Sequence, residues 1–140
     1  MNPRAFSVLL DSHGLSALAT DAAAMRAWVA LVKRTRSEMY VSIVTITEAT
    51  DGSPRDVKVR RALKSVNTPI PPSEPIAFDA GRLRAAAAGS RRKLRDLTVD
   101  AVVAATALTL RPPVVVLTSD KPDLDLLLAG TGVQVRALDQ

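Results

Sequence analysis

The chain has 140 residues, which is the length of one compact domain, and 47% of them are hydrophobic, with only 3% aromatic, so the core is expected to be aliphatic. It has no cysteine, which excludes disulfides and thiolate metal sites. The net charge of +5 favours polyanionic partners, nucleic acid first. No apolar run approaches the roughly 18 residues of a membrane span, and the N-terminus lacks the pattern of a signal peptide. We therefore expect a soluble, cytoplasmic protein with no membrane contact.

The first half of the chain predicts two strands and three helices. FSVLLD is a short apolar run typical of a buried strand, and VSIVT is rich in β-branched residues. Met25, Trp28, Val29 and Val32 recur at helical spacing behind Asp21, a candidate cap. The strands are expected at 6–11 and 41–45, and the helices at 21–38, 46–52 and 54–63.

The second half begins with an extended connection, since residues 67–75 contain four prolines. The clearest helix is TVDAVVAATALTL, with Thr98 as its cap, and VVVLT is an unbroken apolar strand. Pro122 and Gly130 delimit a last helix. The strands are expected at 76–78, 114–118 and 133–137, and the helices from Asp79 to Gly89, at 98–110 and at 122–130.

Strands that alternate with helices indicate a parallel sheet covered on both faces. The sequence contains no repeat and no linker. We therefore predict one α/β domain over residues 1–140, with helices on both sides of a central, mainly parallel five-stranded sheet.

Carboxylates from four separate segments are expected at one edge of this sheet. Asp11 ends the first strand, Glu48 follows the second in the first turn of a helix, and Asp120 follows the fourth. Asp100 lies in the first turn of the helix that leads into the fourth strand. Ligands of open parallel sheets bind at the carboxyl ends of the strands. Each acid alone is explained by a turn or a helix N-terminus, but that explanation is inadequate for all four together.

Such a cluster repels itself unless a cation neutralises it, since two like charges about 4 Å apart cost roughly 4 kcal/mol at a dielectric near 20. His13 is the only histidine, so the ligands would be almost entirely oxygen atoms, which favours Mg²⁺ or Mn²⁺. Metal sites of this kind hydrolyse phosphodiesters. The basic stretch that would hold the phosphate backbone of the substrate is expected at Arg91, Arg92, Lys93 and Arg95.

Four stretches carry a resemblance to a known family: VLLDS, TITEAT, VDAVVAATAL and VLTSDKPDLDLL. Together they resemble the signatures of PIN-domain proteins, and their order is similar to that of VapC-type toxins of type II toxin–antitoxin systems. The resemblance spans Phe6 to Val135. It implies a three-layer α/β/α PIN-like domain and a Mg²⁺- or Mn²⁺-dependent endoribonuclease that cleaves cellular RNA. It also implies a cognate antitoxin and a homodimer.

The resemblance assigns catalytic roles to the four acids, Asp11, Glu48, Asp100 and Asp120. Asp11 and Asp100 match the direct metal ligands of the family, and Asp120 is expected at the metal with them. Thr118 matches a hydroxyl residue that supports the site, and Asp123 matches a further supporting aspartate. His13 departs from the family pattern, which has a small polar residue at that place.

Two alternatives remain beside the ribonuclease. A phospho-acceptor, receiver-like signalling domain also has a parallel sheet and an acidic Mg²⁺ pocket, but it carries paired acids after the first strand and a lysine after the last. Here Ser12 follows Asp11, and no lysine follows Val133. A catalytically silent PIN-like module that binds RNA or protein would use the same basic surface without turnover.

Overall fold

The computed structural model describes residues 4–89 and 96–138. Strands and helices alternate along this part of the chain, as predicted. The strands are β1 (Ser7–Leu10), β2 (Glu38–Val41), β3 (Val114–Thr118) and β4 (Gln134–Ala137). The helices are α1 (Ser12–Ala19), α2 (Ala23–Thr35), α3 (Ile43–Ala49), α4 (Asp56–Leu63), α5 (Glu74–Ala88), α6 (Thr98–Ala107) and α7 (Lys121–Leu127).

The strands form one parallel sheet in the order β2-β1-β3-β4. Successive side chains of β1 enter opposite sides of the core: Val8 and Leu10 join one cluster, and Leu9 joins the other. This alternation is the ordinary period of a strand, and both of its faces are apolar because helices cover both sides of the sheet. The first cluster also contains residues of α1, α2 and α4, and the second contains residues of α5, α6 and α7.

The expected strand at 76–78 is wrong, since these residues lie inside α5. Pro75 stands in the first turn of that helix, where its missing N–H costs nothing. Ile76, Ala80, Leu83 and Ala87 are buried at helical spacing, so the apolar pattern of this segment has the period of a helix rather than a strand.

The described part of the chain therefore has four strands rather than five. The position beside β2 is taken by an isolated parallel bridge between Ser42 and Ile70. Ile70 donates its N–H to the carbonyl of Val41 and accepts one from Ile43, each at 2.9 Å. The proline-rich connection supplies this bridge and then leaves the sheet.

Several helix and strand ends also differ from the prediction. β2 ends at Val41, because Ser42 caps α3 through its hydroxyl, which accepts the N–H of Val44 at 3.3 Å. Asp79 lies within α5 and does not cap it. Thr98 is the first residue of α6, and the predicted cap Asp21 lies before α2 with φ +56°.

No single helix in the described residues is long and apolar enough to cross a membrane, although α1 and α2, which meet at 93°, reach the required length and composition as a pair.

Candidate metal centre

Asp11 is held rigidly at the carboxyl end of β1. It is 6% exposed and occupies the N-cap position of α1, with an extended backbone. Its Oδ1 accepts the N–H of Gly14 at 2.9 Å, and its Oδ2 accepts the hydroxyl of Thr118 at 2.5 Å. Both carboxylate oxygens therefore have fixed directions, which is unusual for an acid at a strand end.

Gly14 allows α1 to approach the sheet closely enough for this arrangement. A Cβ at this position would lie 3.1 Å from the Cβ of Leu10 and 3.3 Å from the carbonyl oxygen of Leu117. Both neighbours belong to the buried sheet and have little freedom to move. The glycine therefore sets how near the first turn of α1, and with it the cap on Asp11, lies to β1 and β3.

Thr118 connects Asp11 to the segment that carries Asp120. It is completely buried at the end of β3, which lies next to β1. Its hydroxyl donates to Asp11 and accepts the backbone N–H of Asp120 at 2.8 Å. One hydroxyl thus fixes the relative position of two of the predicted site residues.

Asp100, Asp120 and Asp123 come together in space. Each offers a carboxylate oxygen, these oxygens lie within 4.8 Å of one another, and all three residues are half-buried. Asp100 lies in the first turn of α6, as predicted, and Asp120 and Asp123 lie at the start of α7. Among the described residues this trio could hold a metal ion.

The chemistry of this trio fits a hard divalent cation. Two ligand oxygens on opposite sides of Mg²⁺ lie about 4.2 Å apart. Oxygens that all lie within 4.8 Å of one another are therefore near enough to share one ion after small side-chain movements. All three donors are carboxylates, which suit Mg²⁺ or Mn²⁺ better than zinc. The trio can also neutralise the charge of such an ion.

Glu48 lies apart from the trio. α3 begins at Ile43, so Glu48 stands in its last turn rather than the predicted first turn, and its side chain is exposed. It lines a cavity of about 330 Å³ together with Arg55 and Lys58, the basic residues at the start of α4. The structure thus brings Asp100 and Asp120 together with Asp123, ties Asp11 to them through Thr118, and leaves Glu48 on the neighbouring surface.

Asp51 lines the same cavity as Glu48. Hydrogen bonds from Ser53, helped by Arg55, lower the pKa of Asp51 from 3.8 to about 2. Hydrogen bonds from Thr98 likewise lower the pKa of Asp96, which precedes α6. Both pKa shifts arise from hydrogen bonds to exposed carboxylates within local turns, and neither carboxylate belongs to the metal trio.

Thr45, on the same helix as Glu48, was not among the predicted site residues. It is completely buried on α3, and its hydroxyl has no hydrogen-bond partner among the described residues. Buried hydroxyls normally have one. The signal available in the sequence was its spacing of three residues from both Ser42 and Glu48, which places all three on one side of a helical turn.

The basic residues expected to contact RNA, Arg91, Arg92, Lys93 and Arg95, lie outside the described residues. The cations placed beside a predicted site residue are instead Arg55 and Lys58, next to Glu48. Both side chains are exposed. Arg55 forms an ion pair with Asp51 at 3.1 Å, whereas Lys58 forms none with the described residues.

Comparisons with known proteins identify the fold. No family model matches the chain, and no curated protein matches it in sequence. Among solved structures, a chain of VapBC2 from Rickettsia felis, bound to a DNA fragment from its promoter, is similar at a TM-score of 0.71 with 12% identity over 96% of this chain and 100% of that one. A chain of VapBC-1 from nontypeable Haemophilus influenzae gives a TM-score of 0.70 with 15% identity over the same shares.

A third similar structure comes from Mycobacterium tuberculosis. It is VapBC-5, described as a member of the VapBC family of toxin–antitoxin systems, with a TM-score of 0.56 and 22% identity over 96% of this chain and 98% of that one. Likenesses at such identities establish the architecture of the chain. The protein therefore has the fold of VapC-type PIN-domain toxins, as its sequence resemblance predicted.

Proposed function

We propose that this protein is a Mg²⁺- or Mn²⁺-dependent endoribonuclease and the toxin component of a type II toxin–antitoxin system. The observation that carries the proposal is the convergence of Asp100, Asp120 and Asp123 at the sheet edge where Asp11 is fixed by Thr118. The fold shared with chains of VapBC structures supports it. An acidic centre in a chain of net charge +5 also suits a polyanionic substrate.

Asp100 and Asp120 would hold the cation directly, and Asp123 belongs in the same ligand set because its carboxylate lies with theirs. Asp11 would complete the site from β1. Each of its oxygens accepts one hydrogen bond, and a carboxylate oxygen has two lone-pair directions, so Asp11 keeps the capacity to bind a cation or to orient water.

When bound, such a cation lowers the pKa of water and offsets the negative charge that develops on the phosphate. The protein's own contribution is position. Thr118 prevents Asp11 from rotating, and the backbone N–H of Asp120 is held by the same hydroxyl. Glu48 lines a separate cavity together with Lys58. We propose that Lys58 contacts an RNA phosphate there, and that Glu48 assists catalysis from that side.

The partners follow from the same proposal. The similar structures are of VapBC and FitAB, two of them bound to promoter or IR36 DNA. We propose that this chain likewise pairs with a cognate antitoxin, forms a homodimer and acts in the cytoplasm as one domain.

The decisive experiment is incubation of purified protein with single-stranded RNA and Mg²⁺ or Mn²⁺. We expect cleavage that EDTA abolishes and that added metal restores. A parallel preparation of Asp120→Asn excludes contaminating nuclease if it is inactive. RNA binding without metal-dependent cleavage would instead identify a catalytically silent module. Phosphorylation of the chain by acetyl phosphate would identify a receiver-like domain.

A further inference from the structure

A second polar cavity lies at the opposite edge of the sheet from the acids. It has a volume of about 470 Å³ and is formed where β1, β2 and β3 begin. Three segments line it: 4–7, 36–40 and 111–112. Because all strands are parallel, their amino ends share this edge, and their carboxyl ends share the edge that carries the acids.

The three segments are joined by backbone and hydroxyl hydrogen bonds. The N–H of Phe6 donates to the hydroxyl of Ser37 at 2.9 Å, and the hydroxyl of Ser7 donates to the carbonyl of Arg111 at 2.7 Å. The N–H of Glu38 donates to the carbonyl of Phe6 at 3.1 Å. Ser7 and Ser37 are both buried. The floor of the cavity is therefore a preformed part of the sheet.

Each segment contributes one arginine to the lining: Arg4, Arg36 and Arg111. All three are exposed, and none of their guanidinium groups makes a hydrogen bond or an ion pair with residues 4–89 or 96–138. Glu38 is the only acid among the described lining residues, so the cavity has a net charge of +2 from three arginines and one glutamate. Some arginines elsewhere are paired, as Arg26 is with Asp21 and Arg82 with Asp79, whereas Arg60 and Arg61 have no partner among the described residues.

Arg36 is also held in an unfavourable backbone conformation. It ends α2 with φ +56° and ψ +35°, the left-handed conformation in which glycine is preferred. The end of α2 holds it there, since the N–H of Arg36 donates to the carbonyl of Lys33 and the N–H of Ser37 donates to the carbonyl of Val32. Strained residues of this kind concentrate at binding sites, where the surrounding structure holds them in place.

We propose that this cavity is a binding site for phosphate esters. A guanidinium group is planar and always charged, and it donates two parallel hydrogen bonds to an oxyanion. Three of them around one cavity suit a phosphate group, which has more acceptor oxygens and more negative charge than a single carboxylate. Tyr40 and Phe6, also in the lining, offer aromatic surface next to the charge, as in sites that take nucleotides. The site is separate from the acids by the length of the sheet, about 13 Å for a four-residue strand.

The test is equilibrium binding in EDTA, which removes the contribution of a metal at the acids. The probes are pyrophosphate, a mononucleotide and a fluorescent single-stranded oligonucleotide. We compare Arg36→Gln/Arg111→Gln with Arg60→Gln/Arg61→Gln, a pair on α4 that is exposed, outside the cavity and equal in charge change. We expect the first pair of substitutions to weaken pyrophosphate binding by about tenfold or more, and the second pair by less than about twofold. The difference is expected because each bidentate contact to a charged group contributes a large share of the binding free energy.

Arg36→Gly separates binding from folding. Glycine adopts the left-handed conformation without penalty, so the melting temperature is expected to stay within about 3 °C of the wild type, while phosphate binding falls. Tighter binding of the oligonucleotide than of the mononucleotide identifies nucleic acid as the source of the phosphate, and equal affinity identifies a small phosphate ester. An absence of binding to all three probes, or equal weakening by both double variants, overturns the proposal. The cleavage assay does not enter this result, so failure here leaves the proposed ribonuclease intact.

Discussion

The two ends of the parallel sheet carry opposite charge on the same backbone framework. At the carboxyl end, Asp11 is buried and both of its oxygens accept hydrogen bonds, and a trio of carboxylates lies nearby. At the amino end, Arg4, Arg36 and Arg111 are exposed around a floor of hydrogen-bonded backbone. The acids are therefore fixed by their own side-chain contacts, whereas the arginines are placed only by the backbone that carries them. Substitution of Asp11 at the first end should therefore disturb structure and function together, whereas substitution of the arginines at the second should disturb binding alone.

The largest expected effect is on cleavage, and it distinguishes two acids of the carboxyl end. Asp11→Asn and Asp100→Asn should each reduce the rate of RNA cleavage by at least about 100-fold, because each weakens the site for the cation. Only Asp11→Asn should also lower the free energy of unfolding, by about 1–3 kcal/mol, since the single carbonyl oxygen of asparagine can accept from only one of Gly14 and Thr118.

Asp100→Asn should leave stability equal or higher, because it reduces repulsion within the trio. The measurements are urea unfolding and a fluorogenic RNA assay, with Asp79→Asn, a half-buried acid of α5 outside the trio, as the control. Retention of full cleavage by Asp100→Asn would refute the metal centre. Equal stability of the two variants would refute the distinct roles of their carboxylates.

Metal and phosphate should stabilise opposite ends independently. A ligand at about 100 times its dissociation constant adds roughly 2.7 kcal/mol to the free energy of unfolding. We therefore expect Mg²⁺ to raise the melting temperature of the wild type and of Arg36→Gln/Arg111→Gln, but not of Asp100→Asn. Pyrophosphate in EDTA should raise the melting temperature of the wild type and of Asp100→Asn, but not of Arg36→Gln/Arg111→Gln. Scanning calorimetry measures both, and loss of the Mg²⁺ effect in the arginine variant would show that the two ends are coupled.

Thr118 tests whether one buried hydroxyl organises the carboxyl end. Thr118→Val removes the donor to Asp11 and the acceptor for Asp120, leaving buried polar atoms unsatisfied, and should cost about 1–3 kcal/mol of unfolding free energy. Thr118→Ser keeps the hydroxyl and should recover most of that loss, apart from about 1 kcal/mol for the missing methyl group. Hydrogen exchange at the Asp120 amide should increase in the valine variant. An unchanged rate there would show that the link does not hold the segment.

The parallel sheet between two layers of helices, and the meeting of Asp100 with Asp120, could be predicted because they follow from local patterns. The unbroken apolar run of β3 requires cover on both faces, and a helix on each side of it then brings Asp100 and Asp120 to one edge. The error at 76–78 arose because three apolar residues fit either period. The helical spacing becomes clear only over the whole segment, because the buried positions continue at Leu83 and Ala87.

Two features could not be predicted from any local pattern. The joining of Asp11 to Asp120 through Thr118 depends on the register between β1 and β3, across residues 107 positions apart. The arginine cavity depends on the same pairing at the other end, since residues 4, 36 and 111 are separated in sequence and share no motif. Composition indicated excess positive charge but not where the sheet would bring it together.

The smallest expected effect concerns Asp51, which belongs to neither the metal trio nor the arginine cavity. Hydrogen bonds from Ser53 lower the pKa of Asp51 to about 2 in the folded chain, below its ordinary 3.8. A depressed folded-state pKa contributes stability that is fully present above the unfolded value and is lost as the pH falls through the folded value. The free energy of unfolding of the wild type should thus fall slightly more steeply than that of Asp51→Asn between about pH 4 and pH 2. Because Asp51 is exposed, solvent screening keeps the difference small, and urea titrations at closely spaced pH values are required. Identical slopes would show that the loop before α4 does not hold this carboxylate in solution, and phosphate binding at the amino end of the sheet at neutral pH should be unaffected in either case.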